Sequence, residues 1–357
     1  MRFLWSKSWK IIGVVLVLYS LVAGLLVPLK PGILHVSPGS MTTDSLVYLD
    51  IEGYNTRFQS GIQNRVWLKL SDEFVIMADT VMVIDRNHIR ARIHIPTYLP
   101  VPETTVDCSL IVDNPADGAF VKPSSVFIRA SDKNLEMGYA YWRKDAISDL
   151  HGTGFFGYPF RGILEETIRN TYYHVPMWFG MIFLFLFSLI ASIRYLRGID
   201  PWGAEKTRAL NQIGLIYGIL GLVTGAIWAK FTWNAFWSMD VKQNMAAIAT
   251  LIYLAYFLLA RSFEDPDKRD RVTSAYNIFA FLTLIPLLFI IPRMTDSLHP
   301  GNGGNPAMGG EDLDNTMRMV FYPAVIGWTL LGFWMAELVY RTKLIQFRIR
   351  ERQHELS

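Results

Sequence analysis

Residues 175–193 read VPMWFGMIFLFLFSLIASI, a stretch with no charged side chain. A helix needs about 20 apolar residues to cross the hydrocarbon core of a bilayer, with a range of roughly 17–25. Five other charge-free stretches are of similar length: Ile11–Leu29, Ala209–Ala229, Gln243–Ala260, Val272–Pro292 and Met319–Ala336. Lipid offers no water to unpaired backbone N–H and C=O groups, so each stretch is predicted to be a transmembrane helix.

The cations orient these spans. Arg2, Lys7 and Lys10 precede the first, and Arg194, Arg197, Lys206 and Arg208 fill the link after the second. Arg261, Lys268, Arg269 and Arg271 fill the link after the fourth, and Arg341, Lys343, Arg348, Arg350 and Arg352 follow the sixth. The alternate short links carry only Lys230 and Lys242, then Arg293 and Arg318. By the positive-inside rule both termini are cytoplasmic, and 30–174, 230–242 and 293–318 lie outside. The first span is longer than the apolar region of a signal peptide and lacks a small-residue cleavage site, so it is expected to be retained.

Between the first two spans the pattern changes. Short alternating runs appear at Leu46–Ile51, Arg65–Leu70, Phe74–Ile84, His88–Ile95, Val106–Val112 and Ser125–Ala130, separated by Pro, Gly, Asn and Asp. Such spacing predicts a β-sandwich, in the manner of an immunoglobulin-like domain. The expected architecture is a polytopic, all-α membrane protein of six helices with an inserted β-sandwich. Its parts are a first helix (1–30), the outer β domain (31–130), a surface linker (131–174), a five-helix membrane domain (175–342) and a cytoplasmic tail (343–357). A net charge of +3 gives no reason to expect nucleic acid as a partner, and the single cysteine, Cys108, rules out an intrachain disulfide. Cys108 reads as a small buried strand residue. His88 and His94, six apart in a strand, share a face and read as solvated.

Three features fall on the outer side. His174, in Tyr172-Tyr173-His174-Val175-Pro176, stands at the mouth of the second span, with Pro176 suited to a first helical turn. His299, in Leu298-His299-Pro300, lies in the link before the last span. Between them, residues 228–240 read WAKFTWNAFWSMD. If 233–240 is helical, Trp233, Trp237 and Asp240 share a face. Two histidines and an aromatic slab suit haem, which is flat and apolar and takes axial imidazoles, with Lys230, Lys242 and Arg318 available to its propionates.

At these residues the chain resembles the haem-handling family of cytochrome c maturation, the CcmC type with its Trp-rich "WWD" segment. The family's His-Val-Pro corresponds to His174-Val175-Pro176, its Thr-Gly-x-x-Trp to Thr224-Gly225-Ala226-Ile227-Trp228, its later Trp and Asp to Trp233, Trp237 and Asp240, and its Leu-His to Leu298-His299. Ala229, Asn234 and Met239 depart from the pattern, and the long β-rich segment is an addition. The resemblance implies that His174 and His299 are axial ligands of a transiently held b-type haem. It implies that Trp228, Trp233, Trp237 and Asp240 form the platform and the chaperone contact. The implied partners are a membrane-anchored haem chaperone and an ATP-driven transporter-like complex in the bacterial inner membrane, with the β domain and haem site in the periplasm. The implied role is that of a haem-presenting factor rather than an enzyme. Two other readings are a haem–cytochrome ligation component, usually marked by histidines inside the spans, and a receptor or adhesion protein working through its β domain.

Overall fold

Helix α1 (Arg2–Leu26) stops where Val27 meets Pro28, because proline disfavours a helical conformation in the residue before it. Leu29, expected in the first span, is buried instead in the β unit, where its backbone bridges to Tyr158. The computed structural model describes residues 2–59, 63–132, 134–152, 154, 156–299 and 313–356. It divides into two units, Val27–Glu165 and Met1–Leu26 with Glu166–Ser357.

The first unit is a two-sheet sandwich. Strands β1 (Gly32–Ser37), β3 (Ser45–Tyr54), β7 (His88–Ile95) and β6 (Thr80–Val83) form one sheet in the order β1-β3-β7-β6. Strands β2 (Ser40–Thr42), β9 (Gly118–Arg129), β8 (Thr105–Asn114), β4 (Arg65–Lys69) and β5 (Val75–Met77) form the other, in the order β2-β9-β8-β4-β5. The chain leaves β1 in one sheet and pairs β2 parallel to the last strand of the other. This order is that of an immunoglobulin-like sandwich, as the sequence pattern predicts. The run Phe74–Ile84 is not one strand but two, in different sheets. The crossing is visible in the backbone: Ala78 N–H donates to Val66 of one sheet and Asp79 N–H to Arg92 of the other. Leu49, Ile51, Ile89 and Ile93 meet Val66, Leu68, Cys108, Leu110 and Val126 in one core. Cys108 is fully buried there, which pushes its thiol up to about 12. His88 and His94 sit on the outward face of β7, and His88 is held by Asp85.

The stretch 131–174, expected as a surface linker, contributes structure. Helix α2 (Leu135–Trp142) is capped by Asn134 and seats the fully buried Trp142 in the sandwich core, its indole N–H on Tyr98 O at 3.1 Å. A 3-10 helix, Glu165–Tyr172, follows.

Between these two helices, His151 donates its backbone N–H to Asp113 at 2.8 Å, and Arg65 meets the same buried carboxylate at 2.6 Å. Burial alone would raise the Asp113 carboxyl. The hydrogen bonds from His151 and Arg65 outweigh that and hold it below its ordinary value of 3.8. A depressed native carboxyl stabilises the fold fully above its unfolded value and loses that contribution as pH falls through the native one. The sandwich is therefore expected to weaken below about pH 4. Asp113→Asn should cost about 1.5–3 kcal/mol at neutral pH and flatten the acid limb. Denaturant melts of the full chain, followed by fluorescence at several pH values, check both.

Among the described residues, the second unit holds six helices long and apolar enough to cross a membrane. They are α1, α3 (His174–Leu196), α4 (Gly203–Trp233), α5 (Val241–Arg261), α6 (Pro266–Ile285) and α8 (Asn315–Leu356). A π turn, Pro286–Ile290, and the short α7 (Ile291–Met294) extend α6. The outward side chains of the bundle are apolar, among them Leu220, Val223, Ile227, Leu251, Leu258, Phe279 and Leu282, as lipid contact demands. The chain is thus a multi-pass helical membrane protein with an inserted β domain. Helix α1 packs along α8, where Lys10 meets Glu337 at 2.6 Å. Residues 343–356, expected as a tail, continue α8 as helix; their Lys, Arg, Gln and Glu are good helix formers. Asn277 is fully buried. It accepts from Asn211 Nδ2 at 2.8 Å and donates to Ser192 Oγ at 3.0 Å and Ser188 Oγ at 3.1 Å, tying α3, α4 and α6 together. Of the expected outer loop 293–318, residues 300–312 lie outside the described residues.

Candidate functional site

Helices α3 and α4 meet through a row of side chains and a row of glycines. On α3 the row is His174, Trp178, Met181 and Phe185; on α4 it is Gly225, Gly221, Gly218 and Gly214. Both rows run at spacings of four, three and four, in opposite directions. A Cβ on Gly225 would lie 2.6 Å from His174 Cε1. One on Gly221 would lie 2.7 Å from Trp178, one on Gly218 3.1 Å from Met181, and one on Gly214 2.4 Å from Phe185. Only glycine permits this approach. It brings the first residue of α3 onto the C-terminal turns of α4.

His174 is held at both ring nitrogens. Trp178 Nε1 donates to its Nε2 at 3.2 Å, and its Nδ1 lies 3.1 Å from Thr224 Oγ1. An indole N–H can only donate, so Nε2 carries the lone pair and Nδ1 the proton. Thr224 can accept that proton because its own hydroxyl donates to Leu220 O at 2.8 Å.

His299 reaches the next turns of the same helix. Its ring lies 5.7 Å from Trp228 and 4.7 Å from Trp233, centroid to centroid, and the two indoles meet edge to face at 4.8 Å. Asp240 fixes the third side. This residue is 7% exposed. Its Oδ1 lies 2.9 Å from His299 Nδ1 and caps α5 through Lys242 N at 2.8 Å, while Oδ2 accepts from Leu298 N at 2.7 Å. Burial would raise this carboxyl, but hydrogen bonds from Leu298 and Ser297, with the charge of His299 and the N–H of Lys242, outweigh it and hold it low. Burial also pushes His299 below its ordinary 6.5, against the pull of Asp240. His299 Nδ1 donates to Asp240 Oδ1, which leaves Nε2 outside that contact. Both rings lie against the C-terminal turns of α4, His174 at Gly225 and His299 at Trp228 and Trp233.

The segment between the spans is not a helical slab. Helix α4 ends at Trp233, and Asn234 caps it in the left-handed conformation at φ 60°. Asparagine tolerates that conformation at a helix C-terminus. Met239 is also left-handed, at φ 58°, and is 73% exposed. Trp233, Trp237 and Asp240 consequently part company. Trp233 faces His299, Asp240 caps α5, and Trp237 donates to Asn244 Oδ1 at 3.0 Å at an exposed edge with Phe236 and Met239. Ala229 is fully buried. Of the expected propionate cations, Lys230 is engaged on Asn234 O and Oδ1, both at 3.1 Å, and Arg318 lies 3.4 Å from Asn315 Oδ1. Lys242 sits in the first turn of α5. Reading the sequence for site residues passed over Trp178 and the roles of Thr224 and Gly225. The matched spacing of 174, 178, 181 and 185 with the α4 glycines carried the signal.

A family model described as Heme exporter protein C matches residues 148–355, more than half of the chain. The Heme exporter protein C of Bradyrhizobium diazoefficiens is 26% identical over 191 residues, covering 52% of this chain and 70% of that protein. That of Paracoccus denitrificans is 28% identical over 177 residues, covering 50% and 72%. That of Rhodobacter capsulatus is 28% identical over 153 residues, covering 42% and 62%. The matched residues begin after most of the β unit.

Proposed function

Because the chain belongs to the heme exporter protein C family, we propose that it handles haem for cytochrome c biogenesis by holding it between His174 and His299. The observation that supports this most is the pair of imidazoles gathered at one end of α4, each with its Nδ1 held by an oxygen, Thr224 Oγ1 for His174 and Asp240 Oδ1 for His299. Iron takes axial imidazole through a ring-nitrogen lone pair, and an orienting carboxylate or hydroxyl behind the ring is the usual support. Trp228 and Trp233 beside His299 offer the apolar surface that a macrocycle covers. Haem is cargo in this reading. It is a transient b-type occupant handed on unchanged to a membrane-anchored haem chaperone, which an ATP-driven complex then releases. The exposed edge of Phe236, Trp237 and Met239 is the face offered to that carrier. The site and the β unit face the periplasm, and both termini are cytoplasmic, as the cation distribution indicates.

The test is the visible spectrum of detergent-purified protein expressed with the haem chaperone, beside His174→Ala and His299→Ala. The expected wild-type spectrum has a Soret band and sharp low-spin α and β bands on reduction. Either substitution should broaden those bands and lower the haem retained by at least tenfold. A wild type that carries no haem under adequate supply overturns the reading.

A further inference from the structure

The two histidines are not equivalent, and Trp178 makes the difference. His299 shows no hydrogen bond to Nε2 among the described residues, while Asp240 behind it takes the Nδ1 proton at 2.9 Å. Its donor atom is ready and its basicity is raised by the carboxylate. The Nε2 atom of His174 is already engaged by the Trp178 indole at 3.2 Å, and behind it stands a neutral hydroxyl, Thr224 Oγ1. The ring has little freedom to turn away, because it lies against Gly225 where even one added carbon would clash.

Building on the haem-holding reading, we propose that Trp178 is a positioning residue that competes with iron for His174 Nε2, making His174 the exchangeable ligand and His299 the resident one. Haem is taken first on His299. Ligation by His174 is then an exchange in which the indole N–H···Nε2 hydrogen bond breaks and the iron–nitrogen bond forms. Release runs in reverse. As iron leaves His174, the indole N–H recovers the lone pair, so departure does not leave a buried acceptor unpaired. A presenting protein needs such a weak side, since a site that ligates strongly from both faces does not give its cargo up.

Two substitutions of nearly conserved shape are expected to act in opposite directions. Trp178→Phe keeps a ring against Gly221 but removes the donor. His174 then ligates more tightly by roughly fivefold, the weight of one ordinary hydrogen bond, and haem passes correspondingly more slowly to excess apomyoglobin. Thr224→Val removes the acceptor behind Nδ1. His174 then ligates more weakly, by about 10-fold or more, and the low-spin fraction falls. Packing damage alone would lower haem retention in both variants, so the opposed signs separate positioning from structure. The readouts are the low-spin α and β bands and the rate of haem loss, in detergent-purified full-length protein. Haem bound by the wild type, with Trp178→Phe losing it as fast or faster, overturns this proposal and leaves the site reading standing. Absence of haem from the wild type overturns both.

Discussion

Asp240→Ala is expected to lower haem affinity by about 10–100-fold, the usual cost of removing a group that orients a metal-binding imidazole. Four contacts fail together, the side-chain bond from Ser297 among them. His299 Nδ1 loses the acceptor that fixes its proton, Leu298 N–H loses its partner, and α5 loses its cap at Lys242. The cap alone is worth about 1 kcal/mol, which shifts stability modestly. Loss of haem far beyond that shift therefore reports the histidine. Asp240→Asn separates the contributions. It keeps the shape and one acceptor oxygen, which at the Oδ1 position still meets Lys242 N and His299 Nδ1, but its NH2 then faces Leu298 N–H and the charge that helps hold the proton on Nδ1 is gone. Intermediate retention is expected, and the rate of haem transfer to apomyoglobin measures it. Wild-type retention by Asp240→Ala would remove Asp240 from the site.

Gly225→Ala carries the second large effect. The new methyl would stand 2.6 Å from His174 Cε1, and α4 backbone cannot retreat without disturbing its other contacts with α3. The ring must leave its place, which breaks the bonds to Thr224 and Trp178 and takes Nε2 out of position. The variant is expected to match His174→Ala in its spectrum, with the low-spin bands lost, although His174 is still present. Overpacking of this kind costs about 1–3 kcal/mol, so a folded protein should be recovered. Gly214→Ala is the control. It forces Phe185 instead, and should cost similar stability while leaving haem bound. Equal haem loss in both would mean that bundle packing, rather than the His174 ring, governs binding.

Much of the architecture was legible in residue order because bilayers and sandwiches impose simple periods. Apolar length marked the six spans, and alternation marked most of the β unit. Strands β1 and β2 were missed because six- and three-residue strands flanking Pro38 give little alternation to read. The histidines and tryptophans stood out by position. What they touch did not, since partner choice depends on the register between helices. The burial of Asn277 among Ser188, Ser192 and Asn211 needed three helices to be placed first. The path from Trp233 to Asp240 escaped helical spacing because two left-handed residues, Asn234 and Met239, turn the chain within it.

Both imidazoles are referenced to one helix, His174 through Thr224 and Gly225 and His299 through Trp228 and Trp233. Helix α4 therefore acts as a ruler. Bilayers differ in thickness, and spans answer by tilting or by stretching the lipid. A tilt of the bundle carries both marks of the ruler together. Sliding α3 along α4 by one residue would set four large side chains against positions that have a Cβ. The gap between the two imidazoles is thus expected to be insulated from the thickness of the surrounding lipid, and under the proposed function the grip on a rigid disc would survive transfer from one membrane composition to another.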